Sequence, residues 1–122
     1  MTAALTNDDL TKMRREVRLW LAQRISAGVL AVCVVVHLVT IILAVRGGLS
    51  AAEILSRTHG NLAWLSFYVV FAAAVAIHAP IGVRTILVEA TGWRGRSIDL
   101  TTLAFGLFLF LAGLRAVIGL YL

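Results

Sequence analysis

The hydrophobic positions of this chain fall into three long runs separated by short polar segments. The runs cover roughly residues 19–45, 62–88 and 100–121. About 20 apolar residues in a helix cross the ~30 Å hydrocarbon layer of a membrane, and each run is long enough to do so. Because 61% of the 122 residues are hydrophobic, too little polar chain remains to cover three such helices in water. The pattern predicts an all-α integral membrane protein with three transmembrane helices in a single domain, residues 1–122.

The polar N-terminal segment, residues 1–18, predicts a short amphipathic helix. It opens with a plausible N-cap cluster from Thr6 to Asp9. An apolar stripe follows at helical spacing: Leu10, Met13, Val17 and Trp20. Such a stripe on a charged background suits a helix on the membrane surface, and it could equally contact a soluble partner.

Polar residues also predict the ends of the other helices. Ser50 to Glu53 has the pattern of a capping box, which opens a short helix in the first loop to about Arg57. Ser97 or Asp99 can cap the third transmembrane helix.

The net charge of +5 is distributed unevenly. Most basic residues lie in the N-terminal segment and around the second loop, whereas the first loop holds only Arg46 and Arg57. By the positive-inside rule, the N-terminus and the second loop are cytoplasmic. Membrane topology accounts for the basic residues, so nucleic acid is not an expected partner.

Two histidines lie inside the apolar runs, His37 in the first and His78 in the second. An ionisable side chain in a lipid-spanning helix is costly and indicates a functional site by default. Small or apolar residues share the helix face of each histidine, Ala74, Gly82 and Thr85 with His78, and Ser26, Cys33 and Ile41 with His37. Small residues allow a flat cofactor to approach the backbone, and they serve plain helix packing equally well.

The depths of the two histidines differ. Counted from the nearest basic residues, His37 lies roughly 20 Å and His78 about 9 Å from the cytoplasmic boundary, so they are about 10 Å apart along the bilayer normal. This separation favours two metal ions, one at each histidine, over a single shared ion. The alternative for His37 is a hydrogen bond to a backbone carbonyl across a helix interface.

Arg24 and Arg84 lie near the cytoplasmic boundary of the first and second helices. A guanidinium keeps its charge and offers several donors, so this pair could hold anionic propionates or polarise a quinone carbonyl. Ordinary topology charge is the alternative explanation.

Two short runs carry a resemblance to a known family. The run from His78 to Arg84, His-x-x-x-Gly-Val-Arg followed by an acidic residue, resembles the second-helix signature of the cytochrome b membrane-anchor subunits of succinate dehydrogenase. The run from Gln23 to Gly28 is similar to that family's first-helix signature, His-Arg-x-Ser/Thr-Gly. The chain departs from the family pattern at four positions: Trp20, Gln23, Thr85 and Glu89.

The resemblance implies a site for haem b and for quinone. His78 would be an axial ligand of the iron, Arg84 would lie near the haem propionates, and Arg24, with Ser26 of the same motif, near the propionates or the quinone. His37 is similar to a histidine of two-haem members and would ligate a distal haem. Each iron would take its second ligand from a second membrane-anchor subunit.

The resemblance further implies a non-flavin subunit of succinate:quinone oxidoreductase in the bacterial inner membrane. Succinate would be oxidised on a flavoprotein subunit, and electrons would pass through an iron-sulfur subunit to quinone, so no catalytic residue is expected here. The soluble subunits are expected to dock on the N-terminal segment and on the loop from Trp93 to Arg96. Three alternatives stay open: a fumarate reductase anchor, a single-haem complex, or a non-redox membrane protein whose histidines pack or relay protons.

Overall fold

The computed structural model describes residues 3–122, which form four helices and no strand. The helices are α1 (Asn7–Arg46), α2 (Ala51–Thr58), α3 (Leu62–Thr91) and α4 (Arg96–Tyr121). Of these, α1, α3 and α4 are long and apolar enough to cross a membrane. The predicted all-α architecture with three spanning helices is therefore confirmed, and the chain is a multi-pass membrane protein.

The first helix is longer than the sequence pattern suggested. It has 40 residues and so runs about 60 Å, twice the thickness of the hydrocarbon layer. The predicted amphipathic helix is the N-terminal part of α1 and not a separate element, because no glycine or proline interrupts residues 7–27. Thr6 begins α1 with a capping box to Asp9, and its hydrogen bonds hold the pKa of the Asp9 carboxyl below the ordinary value.

The short helix α2 lies at the end of the bundle opposite the N-terminus and covers the C-terminal end of α4. Its predicted capping box is confirmed, since the Ser50 N–H donates to the Glu53 carboxylate at 2.6 Å and the Glu53 N–H donates to Ser50 Oγ at 3.3 Å. At the end of α2, Thr58 Oγ1 donates to the Leu120 carbonyl at 3.0 Å, and just beyond it the Gly60 N–H donates to the Tyr121 carbonyl at 2.9 Å. These bonds satisfy carbonyl groups that the last turn of α4 leaves free.

Helix α3 lies between α1 and α4 and packs against both. Its contact with α4 is very close at two glycines. A β-carbon at Gly106 would lie 2.9 Å from Pro80 Cγ, and one at Gly113 would lie 2.8 Å from Ala72 Cβ. Small residues at helix interfaces are how backbones approach each other in a membrane.

The turn between α3 and α4 begins and ends with a glycine of positive φ. Gly92 ends α3 with φ 70° and Gly95 precedes α4 with φ 102°, conformations that glycine adopts at little cost. The predicted cap of α4 by Ser97 or Asp99 is wrong, because the cap residue is Gly95 and no side chain bonds the cap. Both side chains have other partners: Ser97 Oγ accepts from the Trp93 indole N–H at 2.7 Å, and Asp99 forms ion pairs.

Candidate functional site

Two polar contacts between α1 and α3 involve the histidines of the apolar runs. Ser26 Oγ lies 3.4 Å from His78 Nδ1, and the Tyr68 hydroxyl lies 3.2 Å from His37 Nδ1. The two contacts are 11 residues apart on α1 and 10 residues apart on α3. At 1.5 Å per residue, both helices give a separation of about 15–16 Å between the two histidine levels.

This separation exceeds the expected ~10 Å because the two reference arginines are not level. In the α1–α3 register, Arg84 lies opposite the turn of α1 that contains Trp20. Arg24 lies deeper in the bundle, about one turn further along. Counting from both arginines as if they marked one plane therefore placed His37 and His78 too close together.

His78 is half-buried and its surroundings are polar on the α1 side. Ser26 is buried, with 4% of its surface exposed, and its Oγ donates to the Gln23 carbonyl at 3.1 Å. A hydroxyl has one proton, so Ser26 Oγ is left to accept from His78 Nδ1–H. The lone pair of that imidazole is then on Nε2, the tautomer that can bind a metal.

Gly82, one of the small residues predicted to share a helix face with His78, lies against α1. A β-carbon there would lie 3.3 Å from Gln23 Nε2. Gln23 Oε1 is the one buried side-chain oxygen or nitrogen in residues 3–122 without a hydrogen-bond partner. Because Gln23 lies one turn from Ser26, an unpartnered acceptor lies close to the His78 level.

His37 packs against an aromatic cluster on α3. Its ring meets Tyr68 and Phe71 edge to face, with centroids 5.7 and 5.6 Å away. Sequence analysis missed Tyr68, although a phenol inside an apolar span also needs a polar partner, and this need was the available signal. The Tyr68 hydroxyl contacts His37 Nδ1 at 3.2 Å; it accepts when the proton is on Nδ1 and donates when the proton is on Nε2, and only the first arrangement leaves the lone pair on Nε2.

A cavity of about 490 Å³ adjoins His37. Thr40, Trp64 and Tyr68 line it from α1 and α3, and Arg57 lines it from α2. His37 therefore borders an open space between this chain's own helices.

Each histidine can offer Nε2 to a metal in the tautomer that carries its proton on Nδ1. Over the described part of the chain, no hydrogen bond engages either Nε2, and neither atom is among the buried atoms without a partner. A ring held at Nδ1 with Nε2 accessible is the usual arrangement of a metal-ligating histidine. The described residues contain no group of three or more potential metal ligands, so each histidine would contribute one ligand to a group completed from elsewhere.

Arg84 does not lie beside His78. The two residues are six positions apart, about 120° around α3, and Arg84 faces α4. Its Nε donates to Asp99 Oδ1 at 2.9 Å, and Arg15 Nη2 lies 2.8 Å from Asp99 Oδ2. Asp99 thus links α1, α3 and α4 through two ion pairs that sequence analysis missed, because no local pattern predicts which arginines reach it.

Arg24 is exposed on another side of the bundle. Its guanidinium carbon lies 5.3 Å from the centre of the Trp20 ring, a cation–π contact. Arg24 is two positions from Ser26, about 200° around α1, so it points away from α3. The structure therefore brings together Ser26 and His78, but it does not bring together Arg24 and Arg84.

Comparison with known proteins gives one match. A family model described as succinate dehydrogenase/fumarate reductase transmembrane subunit matches residues 5–118, which include nearly all of the three long helices. No curated protein and no solved structure matches the chain.

Proposed function

The chain belongs to the family of succinate dehydrogenase/fumarate reductase transmembrane subunits, and we propose that it is a haem b-binding anchor of succinate dehydrogenase. In this proposal it resides in a bacterial inner membrane with its N-terminus in the cytoplasm. It packs against a second membrane-anchor subunit and holds the iron-sulfur and flavoprotein subunits at the membrane. Electrons reach quinone near the end of the bundle that carries the N-terminus.

The observation that carries the proposal is the environment of His78. Its Nδ1 is engaged by Ser26, whose own proton is donated to the Gln23 carbonyl. Nε2 would consequently be free to ligate the iron of a haem. The described residues 3–122 offer no group of metal ligands at this level, so a histidine of the second anchor subunit would complete the iron. A haem with two imidazole ligands transfers electrons and does not bind oxygen.

His37 is proposed to ligate a second, distal haem. Metal–imidazole bonds are about 2 Å long, so two rings whose levels differ by about 15–16 Å cannot share one iron. The Tyr68 hydroxyl lies 3.2 Å from His37 Nδ1 and so orients the His37 ring. The hydrogen bond to Tyr68 and the contacts with the aromatic cluster also favour a second candidate function. In it, His37 only contributes to helix packing and the assembly holds one haem.

The two arginines take different roles in this proposal. Arg24, exposed on α1, has its donors available for a haem propionate or a quinone carbonyl. Arg84 gives its Nε to Asp99 and contributes positive charge near the proximal haem, not a bidentate propionate contact.

The quinone is proposed to bind close to Gln23 and Ser26. Gln23 Oε1 is buried and lacks a donor among the described residues, a costly state unless a water or a ligand hydroxyl donates to it. A quinol hydroxyl at this position would supply that donor. The site is within about one helical turn of the His78 level, which suits electron exchange with the proximal haem.

The basic end of the bundle is proposed to face the soluble subunits. The N-terminal part of α1, from Asn7 to Arg18, is largely exposed and carries four basic residues: Lys12, Arg14, Arg15 and Arg18. The turn from Trp93 to Arg96 lies at the same end, because α3 runs antiparallel to α1. The positive-inside rule puts this end in the cytoplasm.

Haem content of the intact assembly tests the proposal. The assembly would be purified from membranes, and haem would be measured against protein from the reduced-minus-oxidised α-band and by extraction. We expect two haems in the wild type, and loss of one in each of His78→Ala and His37→Ala. His59→Ala is the matched control, because His59 is exposed in the loop after α2 and its loss leaves haem unchanged.

A colourless wild-type assembly, or unchanged haem in both His78→Ala and His37→Ala, contradicts the proposed function. Loss of haem in His78→Ala alone, with full haem in His37→Ala, establishes the single-haem form. Fumarate reduction is distinguished by assaying the assembly in both directions.

A further inference from the structure

A groove on the α3–α4 side of the bundle, away from both histidines, has the shape of an amphiphile site. Its volume is about 470 Å³. At one end lie Arg15, Arg84 and Asp99. The rest of its wall is largely apolar, lined by Ile77 and Ile81 of α3 and by Leu103, Leu107 and Phe110 of α4.

We propose that this groove binds a phospholipid with an anionic headgroup, its phosphate at the charged end and an acyl chain along the apolar wall. Arg84 is the one residue that this groove shares with the proposed haem surroundings, and lipid binding here requires neither haem nor quinone, so this proposal does not rest on the proposed function.

Charge complementarity favours an anionic headgroup. Arg15 and Arg84 share the single carboxylate of Asp99, so the cluster retains one positive charge. A guanidinium has five N–H donors, and each ion pair uses only part of that set. The side chain of Arg15 is 56% exposed, which leaves its remaining donors accessible to a phosphate oxygen. A neutral quinone ring would leave this charge without a counterion.

The length of the groove fits one leaflet. From Asp99 to Phe110 there are 11 residues of α4, or about 16 Å. Half of the ~30 Å hydrocarbon layer is about 15 Å. A phosphate at Asp99 therefore lies at the interface, and the acyl chain attached to it ends near the middle of the membrane.

The apolar wall is open toward the bilayer. Leu103 and Leu107 are 69% and 59% exposed, and the close contact of Gly106 with Pro80 forms the floor between them and α3. Gly106 in this floor has no β-carbon, so the side chains of α3 and α4 on either side of it leave a channel of acyl-chain width. Dispersion contacts along this channel add to the headgroup interaction.

Lipid retention by the intact assembly tests the proposal. The assembly would be reconstituted in nanodiscs of phosphatidylglycerol and phosphatidylcholine, extracted into an uncharged detergent, and analysed by native mass spectrometry for lipids that remain bound. We expect preferential retention of one phosphatidylglycerol per copy of this chain. Arg15→Gln should lower that retention about fivefold, the effect of one basic residue on an anionic lipid, and Arg15→Lys should restore most of it.

Two further variants separate the site from general charge effects. Arg14→Gln removes a neighbouring exposed arginine that does not line the groove and should retain phosphatidylglycerol as the wild type does. Leu107→Trp fills the apolar wall without changing the charges and should lower retention of the lipid. This variant keeps the test valid if Arg15→Gln fails to assemble.

Three results would overturn the proposal. They are equal retention of the two lipids by the wild type, an equal loss in Arg14→Gln and Arg15→Gln, and a crosslink from Leu103→Cys to a helix of another subunit in place of bound lipid.

Discussion

Ser26 Oγ lies 3.4 Å from His78 Nδ1 across the α1–α3 interface. Because the same hydroxyl donates to the Gln23 carbonyl at 3.1 Å, it serves His78 as an acceptor and leaves the imidazole lone pair on Nε2. The contact orients the ring, and the donation to the Gln23 carbonyl favours the tautomer whose lone pair is on Nε2. This relationship gives Ser26 a definite role in the proposed haem site without any contact between Ser26 and the haem.

Ser26→Ala should weaken haem binding at His78. Removing the hydrogen bond to the free nitrogen of a ligating histidine typically costs 10–100-fold in metal affinity. The measurement is the rate at which haem transfers from the purified assembly to apomyoglobin, which should rise by about that factor for one haem only. Ser66→Ala, a change at an exposed serine of α3, is the control. Equal transfer rates in Ser26→Ala and in the wild type would contradict the role of Ser26.

Periodicity predicted which residues share a helix face but not which residues are level. Ser26 and His37 do lie within about 20° of each other around α1, yet Ser26 contacts His78 and His37 contacts Tyr68. The level of a residue depends on the register between helices, which tertiary packing sets. For the same reason the ~10 Å separation counted from Arg24 and Arg84 was too small.

Local signals were sufficient where the interaction itself is local. The capping boxes at Thr6 and Ser50 involve residues three positions apart, and both are present. The predicted cap by Asp99 used the same rule and was wrong, because a carboxylate gains more from two charged donors than from backbone N–H groups. Arg15 and Arg84 are 84 and 15 residues away along the chain, beyond the reach of any local pattern.

Asp99→Asn should destabilise the junction of α1, α3 and α4. The change removes both ion pairs and leaves Arg84, 28% exposed, without its carboxylate. Because the pairs are half-buried, we expect a loss of about 1–2 kcal/mol, between the values for exposed and for fully buried pairs. The measurement is thermal unfolding of the assembly in an uncharged detergent.

The matched control for Asp99→Asn is Asp8→Asn. Asp8 pairs with Lys12 on the surface of α1, with side chains 77% and 71% exposed, so its loss should change stability by less than about 0.5 kcal/mol. Similar effects of the two changes would mean that Asp99 does not link the helices.

The stability of α2 should depend on pH through Glu53. Hydrogen bonds from Ser50, above all from its backbone N–H, hold the pKa of the Glu53 carboxyl below its ordinary value. A carboxyl whose pKa is lower in the folded state stabilises that state above the unfolded pKa, and this contribution is lost as pH falls through the folded pKa. Amide hydrogen exchange in Ala51–Thr58, corrected for intrinsic rates, should therefore show protection that declines below about pH 4. Glu53→Gln, which does not titrate, should show a constant and lower protection, and a parallel decline in this variant would refute the assignment.

Gly106→Ala should loosen the packing of α4 on α3, whereas Gly119→Ala should not. An added β-carbon at Gly106 would lie 2.9 Å from Pro80 Cγ and 3.0 Å from the Ala76 carbonyl oxygen. A proline ring and a backbone carbonyl cannot rotate away, so the helices must separate, at a cost of about 1–3 kcal/mol. At Gly119 nothing lies within 4 Å of the same carbon, and alanine is the better helix former by up to about 1 kcal/mol. The thermal midpoint of the assembly should accordingly fall for Gly106→Ala and stay or rise for Gly119→Ala. If both changes raise the thermal midpoint, then Gly106 does not pack closely against Pro80. The proposed lipid groove would in that case lack the floor that this contact forms.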